Sequence, residues 1–412
     1  MKRLLAFILT VVIAIGALAS CTASEKGGSA STDGQSENQL ADNSKESGEA
    51  IEEESGASAE QESAESDAQK DNEETKETVD VDKLLNGNSA NNELQIDPSK
   101  KLTFGSYPQT EVTEAELVAA LNSKAGALPT VENAQSWTSY GYYASGSVSD
   151  FMWYVDIEYG EERYRGVYFT EYRSNVISAS VSESNSYQDD NGYTSKKVYW
   201  FKYEPLSWII LDKDDETNTA LIVCEMIIDA QAYQNEYSED TSAQKHYNSS
   251  SGSPENTYAN NYAYSTIRKW LNDTFLKIAF SAEEQAKILE SAVDNSAAST
   301  GYSTSAYACA NTQDKVFLLS MSDVVNEEYA FSESPHENDP LRKKKTSDYA
   351  KAQGAYTGAN SDNYGNGWWW LRSPRNDNDL NARGVYNDGY VSGNRNVDRT
   401  DCGVVPALRV KL

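Results

Sequence analysis

The first apolar runs of the C-terminal three quarters of the chain predict strands around one helix. Residues 102–107 form a short run that we expect to be a strand, ended by a turn at Pro108. Residues 114–122 place their apolar side chains on one face of a helix. The aromatic and β-branched runs 151–158 and 163–172 are separated by a short polar segment, which predicts a β-hairpin.

The middle of the chain predicts a meander of strands followed by two helices. The apolar runs 198–203, 208–211 and 220–227 have the composition of strands, with Glu204-Pro205 between the first two. Ser265 is placed to cap a helix with one apolar stripe, which consists of Ile267, Trp270, Leu271, Phe275 and Ile278. Ser281 and Glu284 form a capping-box pattern for a second helix over 283–293.

The C-terminal part contains the most distinctive apolar run, Gly367-Trp368-Trp369-Trp370-Leu371-Arg372-Ser373-Pro374. Strand alternation sends Trp368 and Trp370 to one face and Trp369 to the other. Because both faces are then apolar, we expect a strand buried on both sides, with at most one ring left as a binding platform. Strands at 315–320 and 403–410, and a tight turn at Asn387-Asp388-Gly389, complete this part. Strands and helices do not alternate regularly, which predicts an α+β fold with a mixed, largely antiparallel sheet and a helical pair.

The N-terminus has the pattern of a lipoprotein signal. Lys2 and Arg3 precede an apolar stretch from 4 to 18, and small residues lead into Cys21. The stretch is shorter than the roughly 20 residues of a spanning helix. We therefore expect a signal peptide over 1–20 and a diacylglyceryl lipid on Cys21, which would hold the protein on the extracytoplasmic face of the cell membrane. A plain signal peptide and an uncleaved anchor helix are the alternatives.

Residues 21–99 are expected to be a disordered acidic tether. Residues 22–100 carry 21 acidic and 6 basic side chains, and 22–95 contain no Phe, Trp or Tyr. Such a segment buries too little apolar surface to offset the entropy of ordering it. A flexible chain of this length spans about 50 Å. It would therefore lift the following domain off the membrane.

Residues 100–412 are expected to fold, as a β-rich part at 100–197 and a second part at 198–412. Residues 101–412 have 43 acidic against 27 basic side chains, which argues against nucleic acid as a partner. The basic run Arg342-Lys343-Lys344-Lys345 is interpreted as a solvated loop, with docking of an anionic partner as the alternative.

Catalytic motifs are lacking in the sequence. His246 and His336 lie in polar segments, and there is no nucleophile elbow, Cys-x-x-Cys, His-Glu-x-x-His or phosphate loop. We therefore expect a protein that is not an enzyme. No cofactor is expected, with calcium at Asp377 and Asp379 as the alternative to a hydrated turn there. The candidate ligand-binding residues are Trp369, Arg372, Asp377 and Asp379.

Three cysteines follow Cys21. Cys224 lies in an apolar run and is expected to be a small buried residue. Cys309 and Cys402 lie in polar surroundings, and on an oxidising cell surface they are candidates for a disulfide.

Six landmarks in order carry a resemblance to a known family. They are Phe104-Gly105-Ser106-Tyr107-Pro108-Gln109, Glu204-Pro205-Leu206-Ser207-Trp208, Ile267-Arg268-Lys269-Trp270-Leu271-Asn272, Val316-Phe317-Leu318-Leu319-Ser320, Trp369-Trp370-Leu371-Arg372-Ser373-Pro374 and Gly403-Val404-Val405-Pro406-Ala407-Leu408. Over most of 100–412 the chain resembles domain of unknown function family 6273, found in surface proteins of Gram-positive bacteria. Its C-terminal half looks like the sulfatase-modifying-factor domains, which implies a C-type-lectin-like fold for 198–412. The chain departs from the family at Val405, where the last strand usually has Arg.

These features together predict a membrane-anchored surface lipoprotein with a non-catalytic recognition domain for glycan or protein. Two alternatives stay open. The resemblance to sulfatase-modifying factors implies an enzyme of the formylglycine-generating or a related oxidoreductase type, with a cysteine pair at a copper site. The other alternative is a structural envelope protein without a discrete ligand.

Overall fold

The computed structural model describes residues 100–140, 151–176, 187–234, 238–240, 245–247, 257–302, 305–360 and 362–412. The predicted signal peptide, Cys21 and the predicted tether lie outside the described residues. Within these residues, none of the helices is both long enough and apolar enough to cross a membrane.

Short strands dominate the described part of the chain. In chain order they are β1 (Lys101–Glu111), β2 (Thr138–Ser139), β3 (Met152–Tyr159), β4 (Glu162–Phe169), β5 (Val198–Asp214), β6 (Thr219–Cys224), β7 (Asp229–Ala230), β8 (Ser238–Asp240), β9 (Lys245–Tyr247), β10 (Ile288–Leu289), β11 (Ser291–Val293), β12 (Thr312–Asp314), β13 (Val316–Phe317), β14 (Trp369–Pro374), β15 (Asn381–Val385), β16 (Val391–Asn396), β17 (Gly403–Val404) and β18 (Ala407–Lys411). The α-helices are α1 (Ala115–Ala125), α2 (Tyr187–Asp190), α3 (Thr266–Trp270), α4 (Leu276–Ala279), α5 (Ala282–Lys287) and α6 (Asp348–Ala352).

Two sheets organise the fold. Nine of the described strands form the larger sheet, in the order β10-β18-β6-β5-β4-β3-β2, with β1 paired to β5 and β13 paired to β18. A five-stranded sheet has the order β16-β15-β14-β17-β7. Its β14–β17 pair is parallel, while the other pairs in both sheets are antiparallel. The α+β, largely antiparallel fold class predicted from the sequence is confirmed, and strands from both sides of residue 198 share the larger sheet.

Local signals predicted several elements correctly. The β3–β4 hairpin turns at Gly160, whose φ of 66° suits glycine, and α1 matches the predicted helix. Ser265 accepts a hydrogen bond from the Arg268 backbone N–H, and the Ser281–Glu284 capping box is present on both sides. The two predicted helix starts are therefore confirmed.

Other predictions about element boundaries were wrong. Pro108 lies inside β1, and Glu204-Pro205 lies inside β5. Two register shifts in the β1–β5 ladder accommodate these prolines, which have no N–H to donate. The second helix ends at Lys287, because Ile288 and Leu289 pair with Val410 and Arg409 at an edge of the larger sheet.

The basic run at 342–345 is only half solvated, since Lys343 and Lys345 retain exposed surface whereas Arg342 and Lys344 are buried. Arg342 is fully buried, and its guanidinium donates to the backbone oxygens of Val324, Ser332, Ser334 and Glu337 at 2.8–3.2 Å. An arginine has five donors in a fixed fork, so one side chain can satisfy several carbonyls of an irregular loop. Lys344 is also buried, at 1% exposure.

Candidate functional site

The helix that begins at Ser265 positions the candidate site. Its α3 segment continues through a π-helical turn, Leu271–Phe275, into α4. The apolar stripe is buried against the core, with Ile267, Trp270, Leu271 and Phe275 all below 5% exposure. The opposite, polar face of the same helix therefore faces outward, and π-helical turns of this kind occur frequently at functional sites.

A depression of about 530 Å³ lies along this outward face, and we call it the polar groove. Its walls come from the helix, from Glu290 and from the segment around β12. The lining residues are Ala263, Tyr264, Ser265, Arg268, Lys269, Asn272, Asp273, Leu276, Glu290, Gln313, Asp314 and Lys315.

An ion pair fixes the floor of the polar groove. Arg268 Nε donates to Asp314 Oδ1 at 2.7 Å, and Asp314 Oδ2 accepts from the Thr312 hydroxyl at 2.7 Å. Asp314 is buried, while the Arg268 side chain is 28% exposed. Burial alone would lower the pKa of the Arg268 guanidinium, but the hydrogen bond to Asp314 and its charge raise that pKa. The bonds to Asp314 and to the Ala263 carbonyl therefore hold the Arg268 guanidinium in place in the polar groove.

Asn272 holds the two walls together. Its side-chain Nδ2 donates to the Arg268 and Val316 carbonyls at 3.1 and 2.8 Å. Its Oδ1 accepts the backbone N–H groups of Lys315 and Val316 at 3.0 and 3.1 Å. Because both ends of the amide are used, Asn272 ties the helix to the segment that follows β12.

The rim of the polar groove is exposed and hydrogen-bonding. Tyr264 is 37% exposed, and Lys269, Asp273, Glu290 and Gln313 are also exposed. The charged lining residues balance, since Arg268, Lys269 and Lys315 match Asp273, Glu290 and Asp314 in number. The groove therefore offers an aromatic ring, donors and acceptors without a net charge.

The residues predicted as ligand-binding in the tryptophan run are buried. Trp369 has no exposed surface, and its Nε1 donates to the Arg342 carbonyl at 2.9 Å. Arg372 is 5% exposed, and its guanidinium donates to Asp323 at 2.6 Å and to the carbonyls of Leu318 and Asp294. Both side chains are held inside the fold by these bonds, so a ligand on the surface cannot reach the Trp369 ring.

The only partly exposed ring of the triplet is Trp368, and both of its neighbours along the run are buried. The Tyr356 ring stacks on it at 3.6 Å between centroids and 10° between planes. The Arg395 guanidinium lies 3.5 Å from the same ring centroid. The Trp368 ring is therefore already in contact with other side chains of the protein.

Asp377 and Asp379 lie on the β14–β15 connection. Asp377 is exposed and forms an ion pair with Arg375, whose Nη2 donates to Oδ2 at 3.1 Å. The backbone oxygen of Asp379 accepts from the Asn260 N–H at 3.1 Å. Across the residues that the structure describes, no group of three or more His, Cys, Asp or Glu side chains is placed to hold a metal ion. Calcium at this turn stays an untested alternative to a hydrated turn.

Cys309 and Cys402 are free thiols and do not form the disulfide considered from the sequence. Burial raises the pKa of both thiols. Cys402 is enclosed near Arg395 and Asp401, whereas Cys309 lies beside the Tyr262–Ala263 backbone. Each thiol therefore has its own surroundings in the fold.

Sequence reasoning missed the polar groove. Its strongest local signal is the Ser265 cap, which fixes which face of the helix is polar, but the partners Glu290 and Asp314 come from distant segments. Tyr264 is one of many tyrosines, and nothing in the sequence shows that its ring is exposed.

Comparison with known proteins supports one part of the predicted resemblance. Residues 217–412 match the family described as Domain of unknown function (DUF6273). The landmarks at 104–109 and 204–208 lie outside this matched range. No curated protein and no solved structure matches the chain.

Proposed function

We propose that the chain is a membrane-anchored extracytoplasmic lipoprotein whose folded region is a non-catalytic recognition domain, and that the polar groove binds a glycan. The signal-like N-terminus and Cys21 support the anchor, and the acidic segment after Cys21 supports a tether. The C-type-lectin-like arrangement implied by the resemblance for 198–412 belongs to the same proposal, since it is a fold used for recognition.

The observation that carries the proposal is the combination of the exposed Tyr264 ring with a hydrogen-bonding floor. A sugar presents an apolar C–H face and a rim of hydroxyls, so it needs a ring to lie against and paired donors and acceptors. The Tyr264 ring supplies the first, and Lys269, Asp273, Glu290 and Gln313 supply the second. Such a site has few apolar contacts and many directed polar ones.

Charge balance decides between ligand classes. A groove for nucleic acid or an anionic polymer needs an excess of Lys and Arg, and a groove for a basic peptide needs an excess of carboxylates. The polar groove has three of each sign. We infer that its ligand is a neutral oligosaccharide rather than a charged polymer or peptide.

The experiment is a glycan array probed with the purified full-length chain, including peptidoglycan fragments and host matrix proteins as separate probes. The proposal expects neutral glycans among the hits, with Tyr264→Ala removing them. Tyr390→Ala is the matched control, since that tyrosine is 40% exposed on the turn between β15 and β16. Binding only to matrix proteins, or no binding at all, would contradict the glycan proposal.

The anchor is tested separately. Cys21→Ala should abolish lipid labelling and either release the protein into the aqueous phase or leave it with its signal peptide unprocessed. Unchanged partitioning without a lipid label on the parent chain would refute the lipoprotein part and leave the groove untouched.

A further inference from the structure

A second, smaller cavity of about 50 Å³ lies on the other side of the Ser265 helix from the polar groove. Five aromatic side chains line it, from β1, β3, α3, α6 and the residue after β2: Tyr107, Tyr154, Trp270, Tyr349 and Tyr140. Opposite charges also line it, in Arg165 from β4 and Asp229 from β7. We call it the tyrosine cavity.

Asp229 forms the anionic end of the tyrosine cavity. The residue is 1% exposed, and its Oδ2 accepts from the Tyr107 hydroxyl at 2.7 Å. Oδ1 accepts from the Ala230 backbone N–H at 2.7 Å and from Gln231 Nε2 at 3.2 Å. Burial raises the pKa of the Asp229 carboxyl above its ordinary value, although the hydrogen bond from Tyr107 and the charge of Arg173 act in the opposite direction. Arg173 Nη1 itself donates to the backbone oxygens of Ala230 and Gln353.

Arg165 forms the cationic end. The residue is 2% exposed, and its Nε and Nη2 donate to the two oxygens of Asp156, both at 2.8 Å. Its Nη1 makes only a long contact of 3.4 Å with the Tyr349 hydroxyl. The guanidinium also lies 4.3 Å from the centroid of the Tyr154 ring. One nitrogen of this guanidinium therefore retains capacity to donate.

Arg165 and Asp229 both line the cavity but do not pair with each other. Within the described residues, no ion pair joins Arg165 to Asp229, although both are almost fully buried. Each group has partners of its own, since Asp156 pairs with Arg165, and the Tyr107 hydroxyl and the Ala230 N–H donate to Asp229. What remains is one Arg165 nitrogen with only a long contact and a carboxyl group that line the same cavity, and a ligand with a negative group and a positive group could contact both at once.

Size and access limit such a ligand. A cavity of 10–15 Å³ on this measure holds about one water, so 50 Å³ corresponds to a molecule of only a few heavy atoms. The mouth is formed by the partly exposed side chains of Ser139, Tyr154, Thr274 and Ile278. Thr274 belongs to the π-helical turn, a distortion found often at functional sites.

We propose that the tyrosine cavity is a binding site for a small zwitterion of the amino-acid type, with its carboxylate at Arg165 and its ammonium at Asp229 against the tyrosine rings. Aromatic faces attract an ammonium group, which adds to the charge of Asp229. This site is independent of the polar groove, so either can fail without the other.

Calorimetric titration of the full-length chain with glycine, acetate and methylammonium tests the proposal. Glycine carries both charges, while each of the other probes carries one. We expect glycine to bind at least tenfold more tightly than either. Equal or tighter binding of methylammonium would indicate a simple cation site and overturn the proposal. Absence of glycine binding would show that the two charges are structural, and would overturn it equally.

Two variants test whether glycine binds in the tyrosine cavity. Asp229→Asn retains the shape and loses the charge, and should weaken glycine binding at least tenfold. Because this buried change can also disturb folding, Ile278→Trp at the mouth provides a second variant that should block entry. Lys277→Ala is the control, since Lys277 is exposed on the same helix and lines neither cavity. Unchanged glycine affinity in both Asp229→Asn and Ile278→Trp would contradict the assignment to this cavity.

Discussion

Arg268 and Asp314 form an ion pair at 2.7 Å that joins the outward face of the Ser265 helix to β12. The pair is asymmetric, since Asp314 is 1% exposed and Arg268 is 28% exposed. It is both a structural bond and the floor of the polar groove. Loss of this pair should therefore be measurable both in the free energy of unfolding and, separately, in ligand affinity.

Removing the buried partner should destabilise the fold. Asp314→Ala leaves Arg268 without its carboxylate and Thr312 without its acceptor, and breaking such pairs costs about 3–5 kcal/mol when both partners are buried. Because Arg268 is partly solvated, we expect a loss of about 2–3 kcal/mol in the free energy of unfolding, measured by urea denaturation. Lys213→Ala is the control, since its pair with Asp215 is exposed at 43% and 82% and should contribute less than about 1 kcal/mol. Equal effects of the two variants would contradict this account.

The acid sensitivity of the fold should depend on Asp156. Burial raises the pKa of this carboxyl, but the hydrogen bonds and charges of Arg165 and Arg163 outweigh that and lower it below its ordinary 3.8. A depressed carboxyl pKa contributes stability that is present above the unfolded value and is lost as the pH falls through the folded value. Urea midpoints measured between pH 5 and 2 should therefore fall more steeply for the parent chain than for Asp156→Asn. Parallel curves would show that the pair contributes nothing.

The buried Lys344 should have the opposite pH signature. Burial lowers the pKa of its ammonium group from 10.5 to about 8. The unfolded chain then binds more protons than the folded chain between about pH 8 and 10.5, so this lysine destabilises the fold below pH 8 and ceases to do so as the pH rises. Lys344→Met should stabilise the protein at pH 7 by about 2–3 kcal/mol, and the gain should shrink by pH 10. Urea denaturation of both chains at the two values measures this difference. A gain that does not change with pH would point to packing instead of charge.

Gly105 should not tolerate a side chain. Its φ is +72°, and a Cβ there would lie 2.5 Å from the Phe280 ring and 2.7 Å from the Ala279 backbone oxygen. Gly105→Ala therefore combines a strained backbone with a collision, and we expect a loss of at least about 2 kcal/mol in the free energy of unfolding. Gly126→Ala is the matched control, because its φ is +75° but nothing lies within 4 Å of the added Cβ. It measures the backbone cost alone, and an equal loss in both variants would rule out the collision.

Structural features that depend on neighbouring residues could be predicted from the sequence, whereas features that depend on distant segments could not. Ser265, Ser281 and Gly160 act on neighbours within four residues, so their roles are visible in the sequence. Pro108 and Ile288 belong to strands only because distant segments, β5 and β18, offer an edge to pair with. The same reason explains Arg342, whose charge suggests a surface loop but whose carbonyl partners gather around it only in the folded chain.

The candidate site was less predictable than the fold. Trp369 was a candidate because an aromatic ring can contact a ligand. It lies in β14, a strand buried on both faces, so its ring is not accessible to a ligand. The polar groove depends on three segments that meet in space, around residues 264–276, 290 and 313–315. Each segment alone contains ordinary polar residues. The balance of positive and negative side chains and the exposed Tyr264 ring indicate a site only when the three segments are seen together in the fold.

The proposal that Tyr264 and the polar groove recognise a neutral glycan can be tested by one affinity measurement. The dissociation constant of the best array ligand is compared for the parent chain, Tyr264→Ala and Tyr390→Ala, at low and at high salt. We expect Tyr264→Ala to weaken binding about tenfold, which corresponds to about 1.4 kcal/mol, Tyr390→Ala to leave it unchanged, and salt to have little effect. Equal affinities in all three chains, or binding that disappears at high salt, would contradict the proposal.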